Sequence, residues 1–172
     1  MLRLWPRAAA LLVAVVGVSA TAMVAAPPAS AATKRCDPVT YHFDVHEGGM
    51  SLVVGTISVV GNACVTSGKH GLTSSSGKLK WAASALGASL GWEWLSSTVS
   101  LVSWGATVAK YQASGGLQLC TGWKIVPLCG NNEMFSLSFT AYGPAFTGRR
   151  VPPAIKCANS RCRLGFTYTG RS

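Results

Sequence analysis

Carboxylates are scarce in this chain: Asp37, Asp44, Glu47, Glu93 and Glu133 are all it has, against 15 lysines and arginines. Glycoside cleavage by an acid and a base needs two such groups at a set separation. Here only Asp44 with Glu47, or Glu93 with Glu133, could supply them. Also lacking are an H-E-x-x-H run, a G-x-S-x-G elbow and a C-x-x-C pair, so the local marks of zinc proteases, serine hydrolases and zinc ribbons are missing. No cofactor signature is present, and no motif resembles that of a known family. The chain therefore reads as a non-enzymatic protein, with a secreted hydrolase lacking a legible motif as one alternative.

What is present begins with an export leader. Arg3 and Arg7 precede an uncharged apolar run from Ala8 to Ala26, and Pro27 and Pro28 lead to the small triplet Ala29-Ser30-Ala31. This is the layout of a secretory signal peptide over residues 1–31, with cleavage expected after Ala31. Residues 32–172 then form a single exported β-rich domain, secreted and extracellular or loosely attached to the cell wall. Loss of the leader reduces the basic residues from 15 to 13 against 5 acidic ones, a formal charge of +8.

All six cysteines, Cys36, Cys64, Cys120, Cys129, Cys157 and Cys162, follow the leader. An even count in an oxidising compartment reads as disulfides, and no histidine stands near them to complete a metal site. Fifteen pairings are open to six cysteines. Nearest-neighbour pairing is favoured because it closes small loops. Alternation of apolar and polar residues over 41–46, 135–142 and 162–169 indicates half-buried strands. The expected fold is mainly β: one disulfide-stabilised β-sandwich or small barrel. Gly48-Gly49 reads as a hairpin turn, and Gly115-Gly116 as a turn between strands over 99–111 and 117–120. Residues 67–77, 130–132 and 143–153 read as loops. Residues 78–90 fit either a strand or one short helix, capped by Ser75 or Ser76 and ended by Gly91.

Three features carry the functional expectations. His42, Asp44 and His46 share one face of the first strand at ~7 Å steps, which leaves the two histidines ~13 Å apart, too far to ligate one ion unaided. A solvated polar face is the commoner role of such a row, and no metal is expected. Trp92 and Trp94 share a face if their segment is a strand, and would form a stacking platform if displayed; packed in a core they would not.

The third feature is charge. No acid follows Glu133, whereas Arg149, Arg150, Lys156, Arg161, Arg163 and Arg171 do. Such an excess attracts anionic polymers or surfaces. Binding by Trp92, Trp94, Arg149, Arg150, Arg161 and Arg163 to an anionic polysaccharide, cell wall or lipid head groups is the leading expectation, with no nucleic acid as partner. A secreted antagonist is a second class, either a bacteriocin-like toxin or an inhibitor of extracellular enzymes presenting the loop from Cys120 to Cys129 around Pro127. Residues 81–110 hold the single charge Glu93 before Lys110, which also raises membrane insertion as strands.

Overall fold

A computed structural model describes residues 31–48, 51–121, 128–130, 132–160 and 162–172. The expected leader, save Ala31, lies outside the described residues, as do Trp123, Pro127 and Arg161.

Period-two alternation sets the architecture. In β1 (Lys34–Glu47) the residues Val39, Tyr41, Phe43 and Val45 are all buried, while Thr40, His42, Asp44 and His46 on the opposite face are half-buried. A strand with one greasy face must bury it against another layer. β1 pairs antiparallel with β2 (Val53–Thr66), placing Phe43 opposite Ile57 and Tyr41 opposite Val59. β2 pairs in turn with β3 (Ser74–Ala83), and β9 (Leu164–Arg171) closes the other side of β1, giving the order β3-β2-β1-β9.

The second sheet repeats the logic. β5 (Val108–Thr121) lies between β4 (Trp92–Trp104) and β7 (Glu133–Tyr142), with β8 (Ile155–Cys157) beyond β7 and the two-residue β6 (Leu128–Cys129) off the end of β5. Phe135, Leu137, Phe139 and Ala141 of β7 face inward, as their alternation implies. The two antiparallel sheets enclose one core and form a disulfide-stabilised β-sandwich. A file of rings crosses it: Trp81 stacks on Trp94 at 6.4 Å, Trp94 leans on Phe135 at 5.8 Å, and Phe135 meets Phe166 of the first sheet at 5.6 Å.

Cys36 pairs with Cys64, Cys120 with Cys129 and Cys157 with Cys162, the nearest-neighbour pattern. The first two bridges join residues directly opposite on paired strands. Three disulfides in a small β unit fit an extracellular protein.

Three local expectations are corrected. Gly115-Gly116 is not a turn: β5 runs straight through it, and the turn falls at residues 105–107. A Cβ at Gly115 would overlap the Phe135 ring, so this glycine serves close packing. Residues 74–77 belong to β3 rather than to a loop.

Residues 78–90 hold both alternatives in series, a strand to Ala83 and then α1 (Ala85–Leu90). Its cap is Ser84, whose Oγ accepts from Gly87 N at 2.9 Å, not Ser75 or Ser76. Gly91 ends the helix at φ 87°, a conformation suited to glycine. Gly87 weakens the helix by propensity, but any side chain there would strike the Val54 carbonyl.

Candidate functional site

The start of β1 is the place where cations gather. Lys34 and Arg35 sit opposite Thr66 and Val65 at the end of β2, and the following loop returns to them through Ser67 N donating to Thr33 O. Lys69 lies on that loop, its amide donating to Thr66 O. Arg171 comes alongside from β9, opposite Tyr41, and Thr40 and Ser172 exchange both backbone hydrogen bonds at 2.8 and 3.0 Å. The loop after β7 adds Arg149 and Arg150. Lys34, Arg35, Lys69, Arg149 and Arg171 are exposed.

One carboxylate stands among them, and it is taken. Arg150 donates through both terminal nitrogens to the two oxygens of Asp37. The same guanidinium lies 5.7 Å from the centroid of the Tyr142 ring, which packs on Phe146 and accepts from Val151 N through its hydroxyl. Arg150 is thus a strut that ties the loop at 143–153 to β1, and it leaves Arg149 beside it as the exposed member of the pair. Opposite Arg171, Tyr41 is 1% exposed and its hydroxyl has no partner among the described residues. Burial raises its pKa above 10.0, and the neighbouring Tyr142 adds to the rise, while Arg171 and Arg150 oppose it.

The other members of the expected site are dispersed. Arg163 lies at the opposite end of the sandwich, where its amide donates to Glu133 Oε2 at 2.7 Å and its Cβ borders Gly48. Arg161 is outside the described residues. Trp92 and Trp94 do share a face of β4, but it is the core face: Trp92 is 6% exposed and Trp94 is half-buried in the ring file, so they do not form a displayed platform. Inward alternation explains this, since Glu93 between them takes the outer face.

The His42, Asp44 and His46 row does not converge. His42 Nδ1 is 3.1 Å from Ser58 Oγ and its Nε2 is 3.0 Å from Ser172 Oγ, whereas Asp44 accepts from Thr56 at 3.3 Å. Histidine therefore meets serine, but the carboxylate that would orient it is engaged elsewhere. Among the described residues no three His, Cys, Asp or Glu side chains come together to hold a metal ion. Nor is any helix among them long and apolar enough to cross a membrane.

Lys34, Arg35 and Lys69 were not singled out in the sequence, because they are scattered over its first half. The signal that finds them is the strand pairing, which returns the loop after β2 to the start of β1. No family model, curated protein or solved structure matches this chain.

Proposed function

We propose that this is a non-enzymatic protein of an oxidising, extracellular compartment that attaches to anionic polymers or surfaces through the basic end of its sandwich. The observation that supports the reading is the collection of Lys34, Arg35, Lys69 and Arg149 around the start of β1, where Asp37 is occupied by Arg150, with Arg171 further along the strand opposite Tyr41. Repulsion between unpaired cations works against such a cluster, and a polyanion relieves it while releasing its own counterions. Trp92 contributes nothing to this surface, being buried, and Arg150 contributes mainly by holding the loop that carries Arg149.

The test compares two variants that each lose two charges. Lys34→Gln with Arg149→Gln removes cations from the basic end; Lys78→Gln with Lys80→Gln removes exposed cations from β3. Retention on an immobilised acidic polysaccharide at low ionic strength is expected to fall about tenfold for the first pair and much less for the second. Added salt should weaken binding of the parent protein. Equal losses for both pairs would reduce the effect to net charge, and no retention at low salt would remove the proposal.

A further inference from the structure

The sandwich has two outer polar faces, and they differ in what their side chains do. On the first sheet several polar groups pair with one another: His42 lies against Ser58 and Ser172, Thr56 donates to Asp44, and Thr169 donates to the His42 carbonyl, while His46 Nε2 and Asn62 Oδ1 are buried without a partner among the described residues. On the second sheet most of the central polar side chains are open to solvent. Strand register there sets Thr98, Ser114, Ser136 and Lys156 in one row across β4, β5, β7 and β8, with Ser100, Gln112 and Ser138 in the row beside it. Thr98 and Ser114 share a 2.7 Å hydrogen bond, while the side chains of Gln112, Ser136, Ser138 and Lys156 are committed to no partner among the described residues.

Two grooves open on this face, of about 300 and about 170 Å³, which share Gln112 and Ser136. The shared residues make them one trough across four strands, a width of roughly 14 Å at ~4.8 Å per interstrand step. That is longer than a single sugar ring. The exposed Ala154 gives the trough's lining some apolar surface. Thr98, Ser100, Gln112, Ser114, Ser136 and Lys156 line it with hydroxyl, amide and ammonium groups, and no carboxylate lines it.

We infer that this trough is a binding site for a hydroxyl-rich chain, a neutral polysaccharide laid across the strands. Uncommitted hydroxyl and amide groups that both donate and accept, with the Lys156 ammonium as a donor, spaced ~4.8 Å apart across strands and ~6.8 Å along them, match a ligand bearing hydroxyls at every ring. Trp92 and Trp94 point into the core, and no tryptophan is among the described residues that line the two grooves. Affinity therefore rests on hydrogen bonds formed in competition with water, each worth little on its own. A repeating ligand gains by making many of them. The site is separate from the basic end and does not depend on it.

Co-sedimentation of the protein with insoluble cellulose, chitin and β-1,3-glucan in about 1 M NaCl tests the inference, since attraction between charges is screened within about 3 Å there. Retention on at least one of them is expected. Ser136→Trp, which fills the trough, should weaken it about tenfold or more, and Gln112→Ala, a change confined to an exposed side chain, about threefold. Both variants should keep the parent's retention on the acidic polysaccharide at low salt. That arm reports folding and separates failure of this site from failure of the basic end. If Ser136→Trp fails to fold, Gln112→Ala decides. No retention on any of the three polysaccharides, or retention unaffected by Gln112→Ala and by a folded Ser136→Trp, overturns the inference.

Discussion

Arg150 and Asp37 are 113 positions apart in the chain and form a two-pronged ion pair, with Arg150 also lying over the ring of Tyr142. The pair joins the start of β1 to the loop between β7 and β8, so it links the two sheets at the end where the exposed cations collect. Both side chains are less than a third exposed. Arg150→Ala is expected to cost about 1 kcal/mol, since bidentate geometry lifts the pair toward the top of the range for accessible ion pairs. Arg149→Ala should leave the unfolding midpoint in denaturant unchanged while reducing retention on an acidic polysaccharide. A midpoint that moves equally for both would remove the distinction between strut and contact.

Tyr41 makes stability fall at high pH. Its folded-state pKa is raised, first by burial, from the ordinary value of 10.0. Below pH 10 the phenol is protonated in both states and its contribution is complete. Above that the unfolded chain releases the proton first, so stability declines as pH rises toward the folded-state pKa. Tyr41→Phe should flatten this alkaline decline in a denaturant series over pH 8 to 11. At neutral pH it should cost less than about 1 kcal/mol or stabilise, because the hydroxyl it deletes is buried without a partner among the described residues.

Gly115→Ala directly tests the corrected reading of β5. A methyl group there meets the Phe135 ring, and relief requires shifting a fully buried aromatic that holds the ring file together. A loss of about 1 to 3 kcal/mol in chemical denaturation is expected. The same substitution at Gly68, where a Cβ meets nothing within 4 Å but φ is +77°, should cost about 1 kcal/mol from backbone strain alone.

The disulfides should rank by the loops they close. Sequence separations are 28 for Cys36–Cys64, 9 for Cys120–Cys129 and 5 for Cys157–Cys162. Replacing the first pair by serines should cost about 3 to 4 kcal/mol and the last about 2, if the bridges act by restricting the unfolded chain. Thermal unfolding of the two double variants measures the order. A larger loss at Cys157–Cys162 would show that this bridge, which spans the crossing from β8 to β9, acts through the folded state instead.

Much of this fold was legible along the chain. Tyr41, Phe43 and Val45, and likewise Phe135, Leu137, Phe139 and Ala141, announce strands because burying one face of a pleated segment forces period-two alternation. Where both faces of a strand hold small residues, as in β5, the alternation is weak. Glycine is then ambiguous between a turn and a close contact, and only the position of Phe135 across the sheet resolves it. Ser84 carries no local mark as the cap, because the start of α1 is set by where β3 ends, at Ala83.

Local chemistry, then, determined that the chain is built of strands and that Trp92 and Trp94 share a face, and it favoured nearest-neighbour bridges without selecting them from the fifteen pairings. Tertiary structure alone decided that this face is the core, that Arg150 is bound to Asp37 while Arg149 is open, and that the loop carrying Lys69 returns to Lys34 at the start of β1. Alternation repeats every two residues and can be read in a short window. Which layer covers a face, and which cation meets a carboxylate, depends on segments as much as 113 positions away, brought together by burial that has no local signature.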